Sequence, residues 1–252
     1  MSDPNRDRGH ARAEEPGRAR GGYRYYSLLM AMFVTVLICS NTIGPAKACL
    51  VTLPVVGAFT FGAGNVFFPL SYIFGDVLTE VYGYARARKV IWAGFGAMIF
   101  VTLMSFVVIH LPGDPGEPFN ETLQPALEVI FGNTWRITVG SILAFWIGDF
   151  ANSYVMAKMK VWTQGRHLWT RTIGSTIVGQ GVDSLVFYPI AFSGVWTATT
   201  MMKVVAFNWI FKVSIEVVFT PITYVVVGFL KRAENEDFYD DDTDFTPFSL
   251  QD

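Results

Sequence analysis

Four carboxylates interrupt long apolar runs of the chain: Asp76, Asp149, Asp183 and Glu216. Each has a polar companion at helical spacing. Glu80 follows Asp76 by four residues, Asn152 follows Asp149 by three, Gln180 precedes Asp183 by three, and Lys212 precedes Glu216 by four. Spacings of three and four put both members on one helix face. Carboxylates accept hydrogen bonds and amides both donate and accept, so the set could hold a small polar molecule rich in N–H donors. Lys212 and Glu216 also read as an ion pair within one helix, and Glu80 as a salt-bridge partner of the nearby Arg86, Arg88 and Lys89. Asp149 and Asp183 lack an adjacent base, which makes them the stronger ligand candidates.

The elements that carry these groups follow from composition. Of 252 residues, 52% are apolar and 16% charged, against roughly 25% charged in a soluble domain. The apolar residues come in blocks of about twenty, the length that crosses a bilayer as helix. Six helical spans are predicted, at about 26–46, 64–84, 89–110, 136–157, 172–194 and 204–230. The fold class is an all-α polytopic membrane protein. Between the first two spans, Pro54, Gly57, Gly62 and Gly64 alternate with Val, Phe and Thr, a poor helix that predicts a short irregular, hairpin-like loop at the membrane surface. A re-entrant segment or a seventh helix is the alternative there. Residues 1–22 read as a disordered Arg-rich arm, 23–232 as the six-helix membrane domain, and 233–252 as a disordered acidic tail.

Basic residues set the orientation, since Lys and Arg collect on the cytoplasmic side. With the N-terminus inside, fifteen fall on the cytoplasmic side and only Lys47, Arg136 and Lys203 outside. Both termini are therefore expected in the cytoplasm. The near-balance of 19 basic and 21 acidic residues leaves no global basic surface for nucleic acid. Soluble catalysis finds no motif: His10, His110 and His167 are scattered, so no metal site can be assembled, and no GxSxG elbow, P-loop or GxGxxG opening a helix occurs. Cys39 and Cys49 read as buried thiols, and no cofactor is expected.

Counted from the nearest cytoplasmic charge at 1.5 Å per residue, the four carboxylates lie about 14 to 22 Å deep. A charge near the bilayer centre costs about 2.5–3.5 kcal/mol, so one shared polar cavity satisfies them better than four separate burials. Phe68, Tyr72, Phe145, Trp146, Phe187, Tyr188 and Trp209 fall within the spans and could wall such a cavity around a flat heterocycle. Four carboxylates at similar depth cannot all be charged cheaply, so at least one is expected to hold a proton.

The segment FPLSYIFGDVLTEVYGYARARKVIW at 68–92 resembles the signature of the queuosine precursor transporter family, also described as a vitamin uptake transporter family. IGDFANSYVMAKMK at 147–160, LWTRTIGSTIVGQGVDSLVFYPIAFSG at 168–194 and FKVSIEVVFTPITYVVVGFLKR at 211–232 resemble its remaining motifs, and Asn41 and Lys47 fit its pattern. The resemblance implies a six-helix inner-membrane importer of 7-deazaguanine compounds for tRNA modification. It also adds Asn41 to the candidate substrate-binding residues. Such a base presents an N1–H and a 2-amino group, the donor pair that one carboxylate accepts. The competing readings are the substrate-binding subunit of an ATPase-energised vitamin importer, which copurification with an ATPase would reveal, and an intramembrane enzyme using the carboxylates as acid and base. The lipid bilayer and the small molecule are the expected partners, and self-association is left open by the sequence.

Overall fold

The computed structural model describes residues 23–43, 48–53, 57–62, 67–132 and 135–249. The Arg-rich arm at 1–22, Lys47 and the last three residues lie outside them. Seven helices and one hairpin follow in order: α1 (Tyr26–Thr42), β1 (Ala48–Leu53), β2 (Gly57–Gly62), α2 (Phe68–Tyr82), α3 (Tyr84–His110), α4 (Asn120–Phe131), α5 (Trp135–Trp162), α6 (Leu168–Phe192) and α7 (Ala198–Glu234). Six of the helices overlap the six segments expected from hydropathy. The seventh, α4, stands between the third and fourth predicted spans. It buries none of its residues, and at 12 residues with Pro125 inside it it is too short to stand out as a bilayer-crossing block.

By length and composition, α3 and α7 are apolar enough to cross a membrane. Both leave large apolar side chains exposed, Phe100, Leu103 and Phe106 on α3 and Ile210, Val218 and Val225 on α7, surfaces suited to lipid rather than water. Between α1 and α2 the hairpin-like loop is an antiparallel pair of strands, with Ala48 opposite Gly62 and Leu53 opposite Gly57. Branched and aromatic residues in β1 and β2 fit a pleated pair better than a helix.

The buried apolar residues gather at the end of the bundle where Tyr23 meets Glu236. There Val77, Leu78, Val81 and Tyr82 of α2, Val90 of α3, Met156 of α5, Leu168 of α6 and Val227 and Leu230 of α7 form the main apolar cluster. Helices α5 and α6 pack most intimately along their length. A Cβ on Gly148 would come within 2.9 Å of the Asp183 Cβ, and one on Gly179 within 2.7 Å of the Asn152 Cβ. Small residues let the two backbones meet this closely, and the closeness is what brings Asn152 and Asp183 to one interface.

The acidic tail differs from its expectation. Composition predicts disorder after 233, yet the described part, to residue 249, lies packed against the helix ends. The Asp240 carboxylate accepts from the Tyr84 backbone N–H at 3.0 Å, capping the first turn of α3 where orphan N–H groups and the helix dipole favour an anion. Arg88 donates to the carbonyls of Asp244 and Thr246, each at 2.7 Å, and the Trp92 indole donates to the Pro247 carbonyl at 2.8 Å. Phe238 covers Gly83, whose φ of +85° and lack of a side chain together make the sharp α2–α3 corner. Aromatic residues spaced among the aspartates supply the apolar contacts that composition alone obscures.

Candidate functional site

At the opposite end, away from the chain ends, the helices part around a cavity of about 210 Å³. The end of α1 contributes Asn41, α5 contributes Asp149, α6 contributes Gln180 and Asp183, and α7 contributes Lys212. Five of the nine candidate residues therefore line one space. Phe33, Phe145, Phe187 and Tyr188 form its aromatic walls. Trp146 and Trp209 belong elsewhere: the first packs on Trp92 and Phe150, and the second donates its indole N–H to the Ile177 carbonyl at 2.8 Å.

The polar groups in the cavity are unequally partnered. Lys212 Nζ donates to Asp183 Oδ2 at 2.8 Å and to Gln180 Oε1 at 2.9 Å. Asp183 thus has an adjacent base after all, contributed by α7 and invisible in local spacing. Asp149, only partly buried, has no hydrogen bond or ion pair among the described residues and faces the cavity. Asn41 is fully engaged: its Oδ1 accepts from Ser141 at 2.9 Å, and its Nδ2 donates to the Leu37 carbonyl and to the Ser40 hydroxyl. It ties the end of α1 to the start of α5. Sequence reasoning missed Ser141 and Asn208 in the lining; Asn208 lies four residues before Lys212, so its place on the same face was legible.

The remaining four candidates lie deeper, toward the chain ends. Asn152 Nδ2 donates to Asp76 Oδ1 at 3.0 Å. Glu216 forms no ion pair with Lys212, since neither carboxylate oxygen has a hydrogen-bond partner among the described residues. Glu80 is surrounded by cations, but not those of the Arg86–Lys89 run. Arg171 of α6 grips it with two bonds of 2.7 Å, Lys231 of α7 reaches it at 2.6 Å and Lys160 of α5 at 3.7 Å. Glu80, Arg171 and Lys160 are all essentially inaccessible. A buried carboxylate held by a bidentate fork and two ammonium groups is a structural lock between helices. Asp237 of the tail closes it from outside, bonding both Lys160 and Lys231. Burial alone would raise the Asp237 carboxyl, but those two ammonium groups hold it below the ordinary value.

The polar groups thus stand in three tiers along the bundle. Rise along α5 separates Asp149 from Asn152 by about 4.5 Å and Asn152 from Lys160 by about 12 Å. No group of three or more His, Cys, Asp or Glu residues capable of holding a metal occurs among the described residues.

The family model described as "Putative vitamin uptake transporter" matches residues 62–226, a stretch that contains α2 to α6 and most of α7. A protein named "Probable queuosine precursor transporter" from Bacillus subtilis (strain 168) is 32% identical over 210 residues, covering 81% of this chain and 87% of the relative. The "Queuosine precursor transporter" of Escherichia coli (strain K12) is 28% identical, covering 83% of this chain and 90% of its own. No solved structure matches the chain. With most of its length matched, its apolar helices exposed and its polar groups gathered inside, the chain is a membrane transport protein and belongs to the queuosine precursor transporter family.

Proposed function

We propose that the protein imports 7-deazaguanine precursors of queuosine, the nitrile or aminomethyl base or queuine itself, across a bacterial inner membrane. In this reading six helices span the bilayer, α4 rests at the outer surface and both chain ends face the cytoplasm. The fifteen-to-three division of basic residues supports that orientation, and it makes the cavity open to the outer half.

One observation carries the substrate reading: Asp149 is an unpaired carboxylate facing an aromatic cavity in which the other carboxylate, Asp183, is already neutralised by Lys212. The N1–H and 2-amino group of a 7-deazaguanine would satisfy the two Asp149 oxygens side by side, with the ring between aromatic walls. A base lacking that donor pair would leave Asp149 unsatisfied, at a cost of about 1–3 kcal/mol. About 210 Å³ is below the roughly 300–1,000 Å³ of drug-sized pockets and suits the nitrile or aminomethyl base better than the bulkier queuine or a nucleoside. The test is uptake of labelled 7-cyano-7-deazaguanine into cells lacking their own importer. Accumulation with the intact protein and background levels with Asp149→Asn are expected; equal uptake by both would remove Asp149 from the site.

A further inference from the structure

Three of the five deep acidic groups have an evident means of carrying charge. Glu80 meets three cations, Asp183 meets Lys212, and Asp149 faces the cavity. Asp76 and Glu216 have neither, and both are 0% exposed. Helices α2 and α7, which carry them, pack directly on each other. Four atoms here have no hydrogen-bond partner among the described residues: Asp76 Oδ2, both Glu216 carboxylate oxygens and Asn152 Oδ1. Asn152 is itself 6% exposed, and its amide is fixed against Asp76 by the bond from Nδ2, which keeps its open oxygen at the same cluster.

All four open atoms are acceptors, so what is missing is a donor. Two ionised carboxylates sealed between the same helices repel each other and forfeit their hydration. A single proton answers both defects: bound to one oxygen of Glu216, it cancels one charge and supplies an O–H donor in a region whose open atoms are all acceptors. The titratable groups around the pair are Glu80 on α2, Asp149 on α5 and Lys212 on α7, with Asp183 of α6 reached through Lys212. Helix α1 carries no acidic or basic residue. Lys212 is held by Asp183 and Gln180.

Position gives this proton a use. The pair lies in the middle tier, between the cavity and the Glu80 lock. A void of about 10 Å³ is lined by both Asp149 and Asn152, room for about one water between the open carboxylate of the cavity and the amide bonded to Asp76. We propose that Asp76 and Glu216 together hold one exchangeable proton, and that this proton is the coupling ion of transport. The coupling rests on the importer reading above; the proton itself does not. Proton transfer onto a Glu216 oxygen from the cavity side, and its release toward the chain-end side, balances as one proton moved per cycle.

The test separates the two. In liposomes holding the purified protein, labelled 7-cyano-7-deazaguanine should accumulate up to about tenfold per unit of inward pH gradient. Glu216→Gln, an isosteric stand-in for the protonated acid, should keep exchange of labelled for unlabelled base at equal concentrations within about twofold but lose accumulation. Infrared spectra of the substrate-free protein at neutral pH should show a protonated-carboxyl band that this variant lacks. Accumulation retained by Glu216→Gln, accumulation driven by a sodium gradient instead, or spectra without such a band would each overturn the proposal. Absence of any exchange by the unaltered protein would instead sink the choice of substrate, and the infrared comparison would still decide the proton.

Discussion

Lys212 Nζ lies 2.8 Å from Asp183 Oδ2, so the two carboxylates that look equivalent in sequence are different groups in the fold. Asp183 is half of an ion pair joining α6 to α7. Asp149 is the carboxylate left to a ligand. The difference sets the first expected outcome. Asp149→Asn should lower uptake more than tenfold with unchanged abundance in the membrane, since loss of a paired charged acceptor costs about 1.5–3 kcal/mol. Asp183→Asn should also lower uptake, by stranding Lys212, and the double variant Asp183→Asn/Lys212→Gln should recover part of the loss. Strictly additive losses in transport assays would contradict the pairing.

Orientation can be read by labelling. In a Cys39→Ala/Cys49→Ala background, a cysteine at Gly116 should react with an impermeant thiol reagent in intact cells, and one at Arg166 should react only after lysis. Arg166 is preferable to its neighbour Gly165, where φ is +74° and the Tyr239 hydroxyl fills the space a side chain would need. The reverse labelling pattern would invert the topology and place the cavity in the cytoplasmic half.

Glu80→Gln should destabilise the protein severely while leaving the cavity's chemistry intact. Removing one member of a buried ionic cluster strands the others and costs about 3–5 kcal/mol. Thermal unfolding in detergent measures it, with Lys231→Met as the milder comparison because Lys231 is 22% exposed. A Glu80→Gln melting temperature equal to that of the unaltered protein would mean the cluster holds nothing together.

The tail should respond to acid. Because Lys160 and Lys231 hold the Asp237 carboxyl below its ordinary 3.8, its contribution to docking is present above that pH and is lost as pH falls through the depressed value. Asp237→Asn should mimic that loss at neutral pH, seen as faster proteolysis of the segment after Glu234 in inside-out vesicles. Cleavage rates that ignore both acid and the substitution would show that Asp240, Arg88 and Trp92 suffice to hold the tail.

The helices were legible because their apolar blocks are long and bounded by charge. The cavity was legible only halfway, since spacing along one helix reveals which side chains share a face but not which face meets another helix. Gln180 and Asp183 announce a polar side of α6, yet nothing in either segment says that Lys212 will cross from α7 to reach them. Glu80 misleads for the same reason: three arginine or lysine residues soon after it in sequence suggest its partners, while the actual ones come from α5, α6 and α7. Tail docking was hidden differently, because eight acidic residues after 232 outweigh, in any average, the few aromatic rings that anchor the segment.

Glu234 accepts the backbone N–H of Tyr25 at 2.7 Å and that of Arg24 at 3.0 Å, at the very start of α1. These contacts span 209 and 210 residues. During synthesis the first helix therefore has only water for its leading amides until nearly the whole chain has been made. Lys231 arrives at Glu80 in the same last turn. Assembly of the bundle is completed by its final helix, and a chain ending before residue 231 would leave Glu80 with two of its three cations, Arg171 and Lys160.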